Sequence, residues 1–381
     1  MLTSRAAMTR RLQAVVDASP SRIPVLLGGC GSGRTTLLGQ LHDRLGQPST
    51  QYLDVGRTAT TPERFHRAVG AATPFPGLAD PGSGARAAFD ATLAFLAQAR
   101  TGAGTPATFL LDEFLELRTF ESFPGLRRVM HDFIEAIAVS DNRFVLTSRY
   151  STRTLRLLRE QSARFEVIQV PPMGAEDAAN LIGPPAATGD AHEEELLARA
   201  IQTLSDGRPV YLRALVDELD AMRERGGGDA IAALVSLLSV DGRLSRQCAF
   251  CYELRLHRAR GYGALKAILD ILAEDEGLTL TEISQRLQRT PGSTKDYLSW
   301  LEDVDLVTAR HKRYSFVDPL LRVWVRLHCQ TIAPTVGDVV REVHRYAAPR
   351  LPQGEPALAM AGATAATSAD DKRAWGIIEI D

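Results

Sequence analysis

Cysteine is scarce: four residues in a chain of 381. That is too few for a disulfide framework and fits a reducing compartment, so the expected location is the cytoplasm. No apolar run reaches the roughly 18 residues that read as a membrane-spanning helix, so no membrane partner is expected. The longest, AIAALVSLLSV at 230–240, reads as a core helix. The first 22 residues carry positive charge but no apolar centre ahead of a cleavage site, which argues against a secretory signal. Charge of one sign is lacking too. There are 44 Lys and Arg against 46 Asp and Glu, a formal net charge of −2. Any nucleic-acid contact therefore has to come from a local patch. What remains is a composition with 45% hydrophobic and 24% charged residues, ordinary for a globular protein. The length suggests two or three domains at roughly 100–200 residues each.

The apolar pattern divides the chain. Residues 5–17 read as a short amphipathic helix. IPVLL at 23–27 reads as a buried strand, and further strands are expected at 52–55, 107–113, 143–149 and 164–170. Helical stretches separate them, including one opened by Thr61 as N-cap with Pro62 at the first helical position. Strands alternating with helices imply a parallel sheet covered on both faces. From Pro171 the pattern turns wholly helical, with SDGRP at 205–209 and GGG at 226–228 as breaks. Residues 260–330 give three helices and a hairpin. From about 345 the chain is rich in Ala, Pro and Gly and reads as a disordered tail ending in WGIIEID. The expected division is 1–170, 171–259, 260–330 and a tail at 345–381.

The strongest chemical signal is GGCGSGRTT, residues 28–36. Gly28, four residues, Gly33, a basic residue and Thr35 form a phosphate-loop pattern, with Arg34 where lysine is usual. Glycines allow successive N–H groups to turn inward around an anion, and the following helix adds its N-terminal dipole. Gly28, Gly29, Cys30, Gly31, Ser32, Gly33, Arg34, Thr35 and Thr36 are thus the expected nucleotide-binding residues. Thr35 and Asp112 are the expected Mg²⁺ ligands. Asp112 and Glu113 end the apolar strand FLLDE, where ligands sit in open parallel sheets. Glu113 is expected to polarise the attacking water as general base. LTSR at 146–149 ends another strand. Thr147 or Ser148 is expected to sense the γ-phosphate, and Arg149 to meet nucleotide, lid or a neighbouring subunit.

The order of phosphate loop, FLLDE, polar strand end, Gly207-Arg208-Pro209 and a winged helix ending in FVDPLLRVWVR resembles the archaeal-type ATPase family, in the STAND branch of AAA+-like P-loop NTPases. The resemblance covers roughly residues 2–330. It implies a five-stranded parallel nucleotide domain, a helical lid, a C-terminal winged helix, ATP and Mg²⁺ as cofactors, and a nucleotide-state role for Pro209. Arg34 departs from the family pattern. It keeps the charge on a larger planar group, so a slow ATPase is expected.

Other features are weaker. Cys248 and Cys251 form a C-x-x-C pair, but a structural zinc site takes about four ligands and no second pair exists. Both are expected to be buried helix cysteines. Over residues 260–330 ten basic residues balance ten acidic ones. Lys295 opens the third helix, which then carries Asp296, Glu302 and Asp303. Only the wing, with Arg310, Lys312 and Arg313, is basic. Lys295 and these three are the candidate DNA contacts, since nonspecific affinity comes from phosphate neutralisation. Docking within the chain, to another protein or to a second copy stands beside DNA as the use of this module. The function read from the sequence is a nucleotide-dependent switch. Its rivals are a DNA-binding regulator with a non-hydrolysing nucleotide site and a scaffold with structural nucleotide.

Overall fold

The computed structural model describes residues 5–18, 21–159, 161, 163–182, 191–257 and 261–351. In the first part α1 (Arg5–Val16), β1 (Ile23–Leu27), α2 (Arg34–Leu45), β2 (Thr50–Asp54), α3 (Val55–Thr58), α4 (Pro62–Ala72), α5 (Ala85–Gln98), β3 (Thr108–Asp112), α6 (Val129–Val139), β4 (Arg143–Ser148), α7 (Ser151–Leu158) and β5 (Phe165–Gln169) follow one another. The five strands form one parallel sheet in the order β2-β3-β4-β1-β5. β2 begins two residues before its expected start, at Thr50. Thr61 caps α4, accepting from the Arg64 N–H at 3.2 Å.

The two faces of the sheet sort the strand residues by period two. Val25, Leu27, Phe109, Leu111, Phe144 and Leu146 face one layer, which is closed by α4, α5 and α6. Leu26, Leu110, Val145 and Ile168 face the other, where α1 and α2 supply Leu12, Val16, Leu37 and Leu38. Stacked Phe109 and Phe144, with ring centroids 5.6 Å apart, fill the centre of the first layer. Both faces are covered, so every residue of β1 and β3 is buried.

Helices follow: α8 (Ala175–Ile182), α9 (Ala191–Leu204), α10 (Pro209–Glu224), α11 (Ala230–Leu238) and α12 (Arg243–Leu256). Then come α13 (Tyr262–Glu274), β6 (Leu278–Thr279), α14 (Leu280–Leu287), α15 (Pro291–Asp303), β7 (Val307–Arg310) and β8 (Arg313–Phe316). The last three strands pair in the order β6-β8-β7. This is a winged helix. Thr279 and Glu282 form a capping box at α14, and Thr290 caps α15 ahead of Pro291. At the wing tip His311 and Lys312 both adopt left-handed backbone, at φ 51° and 62°, the pair of angles that a tight two-residue hairpin turn requires.

Beyond the wing, two helices were not expected. α16 (Pro319–His328) is capped by Asp318, which accepts from the Leu320 and Leu321 N–H groups at 3.1 Å each. α17 (Val336–Ala347) buries Val339, Val343 and Tyr346. Residues 345–347, read from sequence as the start of a tail, are its last turn. Residues 352–381 lie outside the described residues.

Candidate functional site

β1 delivers residues 28–33 to the C-terminal edge of the sheet, and α2 starts directly after them. Gly31 and Gly33 sit at φ 76° and 86°, which residues with a Cβ seldom adopt. Within the loop the Ser32 N–H bonds to the Gly29 carbonyl. The N–H groups of Gly31, Gly33, Arg34 and Thr35 find no acceptor among the described residues. Unpaired donors converging at a helix N-terminus fit an anionic group such as a phosphate chain.

Arg34 folds back over this loop. Its Nη1 donates to the Gly29 carbonyl at 2.7 Å and to Ser32 Oγ at 3.2 Å, and its Nη2 meets Glu113 Oε1 at 2.5 Å. Its Nε is buried without a partner, a spare donor beside the loop. Glu113 holds left-handed backbone at φ 58°, which turns its carboxylate into the same space. Arg149 closes a triad: its Nε lies 3.1 Å from Glu113 Oε2, and its own N–H donates to that oxygen at 3.0 Å. Burial alone would raise the Glu113 pKa. Arg34 first, then Arg149, outweigh it and hold the carboxyl below its ordinary value.

Asp112 anchors the second half. Thr35 Oγ1 donates to its Oδ2 at 2.7 Å, and Tyr52 donates to the same oxygen at 3.0 Å. The Thr147 hydroxyl donates to Oδ1, and it accepts from the Glu113 N–H at 3.0 Å. An oxygen pair of hydroxyl and carboxylate beside the loop suits a hard divalent cation. The structure thus places Thr147 on Asp112. Ser148 turns inward and accepts from the Tyr150 N–H at 3.0 Å. Tyr52 carries no pattern that would single it out in the sequence.

The helical segment covers the loop. A Cβ on Gly33 would lie 3.4 Å from Pro209, and one on Gly31 would lie 3.2 Å from Val210. Arg208, between the two expected landmarks Gly207 and Pro209, spans three parts of the chain. It donates to the Cys30 carbonyl at 3.2 Å and to the Val317 carbonyl at 3.0 Å, and pairs with Asp318 at 3.3 Å. Asp318 also accepts from Tyr211 at 2.7 Å. A cavity of about 340 Å³ opens beside Gly33 and Thr36, lined by Leu37, Met173, Leu181, Val210, Arg5 and Arg213. Its apolar walls and polar rim suit a flat heterocycle next to the loop.

The winged helix meets the sheet edge at a second seam. Asp305, after α15, accepts from the Ser151 and Thr152 N–H groups and so caps α7 from outside. Asp303 pairs with Arg156 at 3.1 Å. Ser151 lies two residues beyond Arg149, so one short segment joins the Glu113 triad to the winged helix. Of the candidate DNA contacts, Lys295, Arg310 and Lys312 are exposed, and Arg313 donates to the Gly277 carbonyl at 2.6 Å.

Cys248 and Cys251 are both buried on α12. Among the described residues no group of three or more His, Cys, Asp or Glu could hold a metal ion. No described helix is long and apolar enough to cross a membrane.

Residues 264–308 match the winged helix-turn-helix DNA-binding family. Comparison with curated proteins gives no match. Among solved structures, the Walker-type ATPase PABY2304 of Pyrococcus abyssi superposes with a TM-score of 0.62 at 16% identity, over 85% of this chain and 96% of that one. The ORC1 protein of Aeropyrum pernix, solved in complex with DNA, gives a TM-score of 0.44 at 16% identity over 92% and 94% of the two chains. The RuvB Holliday junction branch migration motor of Thermotoga maritima gives 0.42 at 14% over 82% and 92%. These identities speak to fold alone. The chain has the P-loop ATPase fold, with a C-terminal winged helix, as the resemblance implied.

Proposed function

We propose that this chain is an ATP-dependent switch in which nucleotide at residues 28–36 controls how the winged helix is docked. One observation carries the reading: Arg208 reaches the phosphate loop at Cys30 and the winged-helix boundary at Val317 and Asp318 with a single guanidinium. A ligand that moves the loop must disturb that bridge. The free N–H groups of the loop and the Arg34 Nε would hold the phosphates, and Thr35 and Asp112 would hold Mg²⁺. Bound Mg²⁺ would neutralise charge that develops on the phosphates. Glu113 would accept the proton of the attacking water. Arg34 and Arg149 occupy both its oxygens, which supports slow turnover. The test is titration with a fluorescent ATP analogue alongside phosphate release. Binding in the micromolar to low-millimolar range with slow release is expected; no binding at millimolar Mg·ATP would sink the reading.

The match of residues 264–308 and the exposed basic wing favour a second use of the same module, contact with duplex DNA. Arg310, Lys312 and Arg313 are three of the ten basic residues of 260–330, so the rest of the module is net acidic and leaves the wing as the source of affinity. Substituting Arg310, Lys312 and Arg313 together with Gln should remove most duplex affinity. It should also lower the slope of log K against log salt by about 0.9 for each phosphate that is no longer neutralised. Unchanged affinity and slope in a salt series would place any DNA contact elsewhere.

A further inference from the structure

Asp112 ends β3 at 4% exposure, and three hydroxyl groups surround its carboxylate. A carboxylate offers about four acceptor positions, shared between its two oxygens. Oδ2 accepts twice, from Thr35 Oγ1 at 2.7 Å and from the Tyr52 phenol at 3.0 Å. Oδ1 accepts from the Thr147 hydroxyl, and the Glu113 N–H, donating to that hydroxyl at 3.0 Å, fixes where its proton points. Among the described residues, then, Oδ2 is full and Oδ1 keeps one acceptor position. Thr35 belongs to the phosphate loop and Thr147 to β4. Tyr52 comes from β2, the edge strand, and its partly buried ring packs against the apolar layer that α1 and α2 close. That packing makes the phenol a rigidly held donor.

We propose that Tyr52 sets the metal selectivity of the nucleotide site, by denying a divalent cation chelation through both oxygens of Asp112. The inference rests on the nucleotide reading above. Ca²⁺ takes about six to eight oxygen ligands and accepts a carboxylate through one oxygen or both. Mg²⁺ demands an octahedral set, gives up its waters reluctantly, and is usually held by one or two carboxylates together with the phosphates of its nucleotide. With Oδ2 saturated, Oδ1 alone is left for a metal or for a water bound to it. One contact suffices for hydrated Mg²⁺. It forfeits the second ligand that Ca²⁺ would take from the same carboxylate.

Thr35 cannot impose this restriction alone. Its hydrogen bond leaves Oδ2 one further acceptor position, and the phenol is what fills it. Tyr52 is therefore a positioning residue that acts through Asp112. Tyr52→Phe isolates the effect, because phenylalanine keeps the ring and its packing and deletes a single donor. Oδ2 then regains an acceptor position beside the Thr35 hydroxyl, and a cation can meet both carboxylate oxygens. Groups that orient a metal ligand from behind are worth about 10–100-fold in metal affinity. The lower end of that range, about tenfold in favour of Ca²⁺ over Mg²⁺, is the expected change. A phenol that merely supported the fold would affect the two metals alike.

The test titrates full-length wild type and Tyr52→Phe with Mg²⁺ and, separately, with Ca²⁺ at a fixed concentration of a fluorescent, non-hydrolysable ATP analogue. Binding is read without turnover. The ratio of the Ca²⁺ to the Mg²⁺ concentration at half-saturation should fall about tenfold in the variant. An unchanged ratio overturns the proposal. So does a loss of affinity in equal proportion for both metals, which would make the phenol a structural group only. If wild type binds no nucleotide with either metal, the nucleotide reading fails. Calorimetric titration of both proteins with Ca²⁺ and Mg²⁺ alone then decides the part of Tyr52: a shift of the ratio toward Ca²⁺ in the variant supports it, and equal ratios overturn it.

Discussion

Arg34→Ala should bind Mg·ATP about 30-fold or more weakly than wild type. The substitution deletes the one cationic side chain of the loop, whose Nε is buried without a partner and whose Nη1 pins the Gly29 carbonyl at 2.7 Å. Truncating one partner of a buried, hydrogen-bonded charge pair costs about 2 kcal/mol or more, and about 1.4 kcal/mol is tenfold in affinity. The nucleotide-free protein also loses stability, because Glu113 keeps only Arg149. The lower end of the range for breaking a buried ion pair, about 3 kcal/mol, is the expected ceiling. Arg34→Lys should behave differently. A guanidinium spans the Gly29 carbonyl and Glu113 together; an ammonium holds a single point. Lysine should therefore keep nucleotide affinity and free Glu113, leaving phosphate release equal to wild type or faster. Slower release would mean the site is built around the guanidinium.

Glu113→Gln should abolish turnover, since a positioned general base contributes about 10²–10⁴-fold. Binding should survive and tighten. Glu113 neutralises two guanidinium groups that a triphosphate would otherwise meet, and glutamine leaves both charges for the ligand. The nucleotide-free variant loses about 3 kcal/mol of stability in return, because the buried Arg34 and the partly buried Arg149 are deprived of their shared partner. Thermal melts should thus show a lower midpoint without nucleotide and a larger upward shift with Mg·ATP than wild type. pH adds a signature. Arg34 and Arg149 hold the folded-state pKa of Glu113 below its ordinary value despite burial. The carboxylate's contribution is full above the unfolded pKa, roughly 4.3, and fades as pH falls through the lowered folded value. The stability gap between wild type and Glu113→Gln should be flat near neutrality and shrink below about pH 4. Wild-type turnover in the variant would remove Glu113 from the chemistry.

What the sequence disclosed was what short segments encode by themselves. IPVLL and FLLDE are apolar runs that can only be buried strands, and the residues that follow them lie at the sheet edge by geometry. Thr61-Pro62, Thr279 with Glu282, and Thr290-Pro291 carry their caps within four residues, so the helix starts were legible. The contacts that join the parts were not. Arg208 with Asp318 and Asp305 with Ser151 connect positions more than 100 residues apart, and an aspartate in a loop looks the same whether it caps a distant helix or faces water. Tyr52 was unreadable for the same reason. The backbone at Glu113 is left-handed, a conformation no local signal announced, and it is what turns the carboxylate toward Arg34. α17 carries Val339, Val343 and Tyr346 at helical spacing, but nothing local says what they pack against.

The central claim is that nucleotide at the loop releases the winged helix from the sheet edge. Hydrogen exchange of the full-length protein, with and without Mg²⁺ and a non-hydrolysable ATP analogue, tests it most directly. Peptides covering residues 28–36 should gain protection as their free N–H groups meet phosphate. The Ser151 and Thr152 amides, which Asp305 caps across the seam, should lose protection in the same sample. Protection of 28–36 with no change at Ser151 and Thr152 would contradict the account: nucleotide would then bind without moving the winged helix.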